Sequence, residues 1–159
     1  EVAMTRPRAV LLGVALLGLG VSAAPANAAP AAPAKPLPTL GVLVAKTFLQ
    51  AVVARDLRTA KPLCAAEVDF DGRYAKGEKA VTRHLKQLLK RLGQRKRLRK
   101  IVVMTLAQAR ARFGPPPARL TLPKGKTLLV GFGRFRRGGL VVFLAPAEGD
   151  RWRVVALHD

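Results

Sequence analysis

The chain has 159 residues, half of them apolar, which is enough for one folded domain behind a short leader and too apolar for a disordered tail. Lys and Arg number 29 against 9 Asp and Glu, a net charge of +20, and aromatics are only 5%, so the core must be mostly aliphatic. A single cysteine, Cys64, excludes an intrachain disulfide and a Cys-based metal cluster.

The first residues read as an export signal. Met4-Thr5-Arg6-Pro7-Arg8 is a basic start, 9–21 is an apolar run, and Ala26-Asn27-Ala28 is a small-x-small cleavage site, placing the cut after Ala28. The run is shorter than the roughly 20 residues a spanning helix needs. A cleavable signal peptide over 1–28 is therefore expected rather than a retained anchor, and the mature chain is expected in the periplasm or secreted. Glu1, Val2 and Ala3 precede the first Met and carry no weight. Residues 29–38, rich in Ala and Pro, read as an extended linker, and 39–159 as a single domain.

Within that domain 40–54 reads as a helix, with Ala45, Leu49, Val52 and Val53 on one face. Asp56 can cap a short helix that runs to Cys64 and buries Ala60 and Leu63. Cys64 is expected in the core and inert. Residues 67–70 read as a strand closed by Asp71-Gly72. The next helix carries an unbroken stripe of Val81, His84, Leu85, Leu88, Leu89 and Leu92, which puts His84 on the buried face. Lys79, Arg83, Lys86 and Lys90 face away, Glu78 sits at the positive end of the dipole, and Gly93 can close the helix. Residues 99–105 read as a strand and 106–113 as a helix stopped by Gly114-Pro115-Pro116-Pro117. Strands over 127–135 and 140–145 flank the turn Arg136-Arg137-Gly138-Gly139, and Glu148-Gly149-Asp150 turns the chain into a last strand over 152–157. Helices first and a strand meander last describe an α+β fold, with helices packed on one face of a curved antiparallel sheet.

Several of these residues resemble the nuclear transport factor 2-like superfamily, which includes SnoaL-like and ketosteroid-isomerase-like proteins. The matching features are the first helix, Asp56-Leu57 with Ala60, Leu63 and Ala65, then Val68-x-Phe70-x-Gly72, and Gly77-x-x-Ala80-Val81 opening the next helix. The closing meander fits as well; the helix over 106–113 with its triple proline is extra. The resemblance implies a cone-shaped α+β barrel whose mouth serves as binding pocket, active site or interaction surface. Such a fold does not by itself fix a function.

Isomerase-like members need a carboxylate base and hydroxyl or acid donors for a developing oxyanion. Counting without gaps from Asp56, the resemblance puts the Tyr donor at Phe48, which has no hydroxyl, and the base at Gly72, beside Asp71. That argues against this chemistry. His84 is the other candidate for a catalytic base, and Asp69, Asp71 and Tyr74 are expected near the mouth, each also readable as a turn or rim residue. His158-Asp159 ends the chain, where residues tend to fray. No metal-ligand spacing, Walker loop or serine-nucleophile motif is present, and no cofactor is called for.

The charge has two readings. A strongly positive field draws nucleic acid, anionic lipid headgroups or acidic glycans. It also accords with compositional bias, since Arg, Ala, Leu, Gly and Pro dominate while Ser22, Asn27 and Ile101 are the only residues of their types. The densest run, Lys86, Lys90, Arg91, Arg95, Lys96, Arg97, Arg99 and Lys100, could form one anion-binding patch. It holds no aromatic for base stacking, and export argues against nucleic acid, leaving anionic lipid or glycan of the envelope as partner. The sequence thus reads as an exported, non-catalytic module, monomer or homodimer, binding a small apolar ligand in the cone or an anionic envelope component on its surface. The alternative is a SnoaL-like isomerase, cyclase or dehydratase using His84 or Asp71.

Overall fold

The computed structural model describes residues 36–92, 98–136 and 138–159. The leader over 1–28, most of the linker, Gly93, Arg95, Lys96, Arg97 and Arg137 lie outside the described residues. Leu37, at the end of the linker, packs against the core.

Helix α1 (Thr39–Ala54) buries Gly41, Ala45, Phe48, Leu49 and Val52, the stripe that a 3.6-residue period places on one side. It stops at Arg55, which takes a left-handed conformation and returns its N–H to the last carbonyls of the helix. Asp56 then caps α2 (Leu57–Ala60) as expected, accepting the Thr59 N–H at 3.0 Å and the Thr59 hydroxyl at 2.5 Å. A 3-10 turn, Lys61–Leu63, carries the chain into β1 (Cys64–Phe70).

The Asp71-Gly72 turn, with both residues at positive φ, folds β1 back onto β2 (Arg73–Lys76). This second strand has no clear sequence signal, because only Ala75 of its four residues is buried. Helix α3 (Glu78–Leu92) follows and buries Val81, Leu85, Leu88, Leu89 and Leu92. Strand β3 (Lys100–Thr105) leads directly into α4 (Leu106–Phe113) through a capping box. The Thr105 hydroxyl accepts the Gln108 N–H, and the Gln108 side chain accepts the Thr105 N–H. Strands β4 (Leu129–Arg134), β5 (Gly139–Pro146) and β6 (Trp152–His158) complete the chain.

The six strands lie in the order β2-β1-β6-β5-β4-β3 in one open, curved sheet. Four neighbouring pairs are antiparallel, as the meander requires, but β1 and β6 are parallel, so the sheet is mixed rather than purely antiparallel. The meander fixes the direction of β6. Strand β1 arrives from the helices and docks on its free edge running the same way. Register shifts in β1–β6 and in β5–β6 sharpen the local twist and help the sheet curl around its helices.

Helices α1 and α3 fill the inner face of the sheet. Phe48, Leu49, Leu85, Leu129, Leu140, Leu144, Val142, Val154 and Leu157 are all fully or almost fully buried there. The expectation that every helix packs on this face holds for α1 and α3 but not for α4. Because side chains alternate along a strand, Val130 and Phe143 point to the opposite side. Met104, Ala109, Val130, Phe143 and Ala156 form a second apolar cluster there, with Leu106, Leu120 and Leu122 packed on it. Helix α4 and the proline-rich stretch after it therefore cover outer sheet surface.

Candidate functional site

The candidate residues around the β1–β2 turn divide by environment. Asp69 is 1% exposed. Its Oδ1 accepts the Gly72 N–H at 2.6 Å and its Oδ2 the Thr121 N–H at 2.8 Å, so both oxygens are engaged. It holds the turn closed and ties the 114–128 stretch to the sheet. Tyr74 is exposed and donates its hydroxyl to Glu67, which also pairs with Lys76 at 3.2 Å. That bond raises the Tyr74 pKa, and the ring lines no cavity that holds Asp71 or His84.

Asp71 has a different setting. Its Oδ1 meets His158 Nδ1 at 2.5 Å and Arg119 Nη2 at 2.7 Å, while its backbone N–H donates to the Leu157 carbonyl. Burial acts to raise the carboxyl pKa, but the bonds from His158 and Arg119 outweigh it and hold the group below its ordinary value. A base must have a pKa near the working pH to abstract protons well, and this carboxylate is moved the wrong way. His158 closes β6, and Asp159 pairs with Arg91 at 3.2 Å.

His84 is half-buried, its ring stacked on Phe70 at 5.4 Å between centroids and 22° between planes. His84 and Asp71 line the same cleft, about 890 Å³ and open to solvent, together with Phe70, Arg73, Gln87, Lys90, Arg91 and Arg119. The sequence pointed to His84 and Asp71 separately. It gave no sign of Arg119, which reaches Asp71 across 48 positions, or of the His158 contact across 87. The donor position of the isomerase resemblance, Phe48, is fully buried, and the cone interior around it is packed with side chains.

A second cleft, of about 760 Å³, opens between α2, β1 and α3. Leu57, Pro62, Cys64, Ala65, Ala66 and Val81 give it a mainly apolar wall, and Arg58, Lys61, Glu78, Thr82 and Lys86 complete its lining. Glu78 is neutralised by Lys61. Cys64 is partly exposed, its thiol directed to the Ala60 carbonyl at 3.7 Å, and burial pushes its pKa up to about 12. At neutral pH it is a small apolar wall element and a poor nucleophile.

The described residues of the long basic run are divided among these features. Lys86 borders the apolar cleft, Lys90 and Arg91 border the polar one, and Arg99 precedes the edge strand β3, which Lys100 opens. Among the described residues no group of His, Cys, Asp and Glu could hold a metal ion, and no helix is long and apolar enough to cross a membrane.

No protein-family profile and no curated protein matches the chain. Solved structures do resemble it. A candidate calcium/calmodulin-dependent protein kinase type II association domain from Thiobacillus denitrificans is 17% identical, with a TM-score of 0.44 over 80% of this chain and 96% of that one. A candidate ketosteroid isomerase from Shewanella frigidimarina is 12% identical, with a TM-score of 0.45 over 73% and 90%. A nuclear transport factor 2-like protein of unknown function from Pseudomonas putida is 16% identical, with a TM-score of 0.39 over 73% and 80%. Each of these likenesses is one of fold at low identity.

Proposed function

We propose that this chain is a non-catalytic binding module that holds a small amphiphile, an apolar body with an anionic head, in the cleft between α2, β1 and α3. The observation that carries the reading is the pairing of an apolar wall with a cationic rim. Leu57, Pro62, Ala65, Ala66 and Val81 offer hydrocarbon surface, Glu78 and Lys61 neutralise each other, and Arg58 and Lys86 leave the rim positively charged. Ligand sites are commonly mainly apolar with a few polar groups that fix orientation. The signal peptide expected over 1–28 would carry the domain to the periplasm or beyond, where it meets fatty acids and lipid fragments.

Titration with dodecanoate tests the reading. Wild type is expected to bind it saturably. Ala66→Trp, which fills the cleft from an exposed strand position, is expected to weaken binding by about tenfold or more, or ~1.4 kcal/mol. Lys86→Glu is expected to weaken it by a smaller factor and to reduce its salt dependence, because the headgroup loses its partner at the solvent edge. Equal affinity in wild type and Ala66→Trp, with unchanged thermal melting, would place the ligand elsewhere.

A further inference from the structure

The polar cleft is a separate feature from the apolar one. Along α3 the buried stripe of Val81, Leu85, Leu88 and Leu92 has two flanks. At about 100° per residue, Glu78, Thr82 and Lys86 fall to one side and His84, Gln87 and Arg91 to the other. The two clefts therefore open on opposite flanks of one helix, and a ligand in one does not occupy the other.

We infer that the polar cleft, the one lined by Asp71 and His84, is a binding site for a phosphate group carried on a planar organic body. Four cations reach its lining from three separate parts of the chain: Arg73 from β2, Lys90 and Arg91 from α3, and Arg119 from the 114–128 stretch. The local carboxylates do not offset them fully. Asp71 is shared between Arg119 and His158, and Asp159 is paired with Arg91. The lining thus keeps a positive excess after internal pairing.

Convergence from three elements favours a phosphate over a carboxylate. A carboxylate presents two oxygens in one plane. A phosphate monoester presents three, spread about a tetrahedron, with up to two negative charges to answer several cations at once. Guanidinium groups suit this geometry, and Arg provides three of the four cations. The cleft, at about 890 Å³, is far larger than an inorganic phosphate needs, so the group is borne on something bigger. His84, braced by its stack on Phe70, supplies a flat ring in the same lining against which a planar body can lie.

The probe is phenyl phosphate, titrated into the full chain at fixed ionic strength beside inorganic phosphate and benzoate. Saturable binding of phenyl phosphate is expected, tighter than either comparison compound. Arg73→Gln with Lys90→Gln is expected to weaken it about tenfold or more, since each removes a bond to a charged group. Lys124→Gln with Lys126→Gln, the same loss of charge at exposed positions outside the lining, is expected to change it by less than about twofold, as a screened field effect would. Should the first pair alter thermal melting, either single variant serves in its place. The phosphate monoester can come from a soluble ester or a lipid headgroup, and vesicles containing phosphatidic acid, whose headgroup is a phosphate monoester, separate the two. Vesicle binding that phenyl phosphate displaces assigns the site to a headgroup, and displaceable soluble binding without vesicle binding assigns it to a soluble ester. Absence of saturable binding, or equal weakening by the control pair, overturns the inference. Neither result touches the apolar cleft, whose test uses a different probe and different residues.

Discussion

Asp69 and Asp71 lie two residues apart on one hairpin and do different work. Asp69 is closed off from solvent and bonds two backbone N–H groups, one of them 52 positions away. Asp69→Ala leaves both donors without their charged acceptor, and an expected loss of about 2–4 kcal/mol in urea unfolding follows. A loss under about 1 kcal/mol would show that water replaces the carboxylate freely. Asp71 is a partly exposed group whose partners depress its pKa below the ordinary 3.8. The sign follows from linkage: its stabilising contribution is present above the unfolded value and is lost as pH falls through the folded one. The stability gap between wild type and Asp71→Asn is therefore expected to narrow as pH falls below about 5, beneath the range in which an imidazole in contact with the carboxylate ordinarily changes charge. A gap that widens below about 5 would reverse the assignment. Asp71 and His84 were both visible as candidates in the sequence, because they are polar residues at a turn and within an apolar stripe. His158 stood out only as half of a terminal His-Asp pair and Arg119 not at all, because their contacts with Asp71 come from tertiary folding and leave no local pattern.

At the scale of elements, the close approach of α1 to the sheet depends on missing side chains. A Cβ built on Gly131 would lie 2.7 Å from Val142 Cγ2 and 3.2 Å from the Ala45 Cβ, and one on Gly41 would collide with Leu129. Gly131→Ala should gain slightly from strand propensity, yet overpacking against Val142 and Ala45 dominates, with an expected cost of about 1–3 kcal/mol. Thermal or urea melting checks this, and a stabilised variant would mean that α1 moves away easily. The amphipathic α3 and the proline-stopped α4 were legible in the sequence nearly to the residue, because periodicity and stop signals are local. Strand β2 was not, since only Ala75 faces inward. Nor was the side of the sheet that α4 covers. Leu106 and Ala109 show that a helix buries one face, but not against which surface. The parallel β1–β6 pair was equally hidden, because strand direction is a property of chain path.

For the whole molecule, the described residues of the densest basic run do not form one block: Lys86 borders one cleft, Lys90 and Arg91 border the other on the opposite flank of α3, and Lys100 opens the edge strand of the sheet. One cleft joins cations to a hydrocarbon wall, and the other joins them to a stacked aromatic pair. The inner face of the sheet, where the isomerase resemblance would put chemistry, is occupied by packed side chains. In the proposed function a ligand sits in the apolar cleft and not in this interior. Backbone amide chemical shifts recorded during a dodecanoate titration test this most directly. Saturating changes are expected at Leu57, Ala65, Ala66 and Val81, with Phe48, Leu140 and Leu157 unmoved. Changes centred on Phe48 and Leu140, or spread evenly over the basic surface, would contradict it.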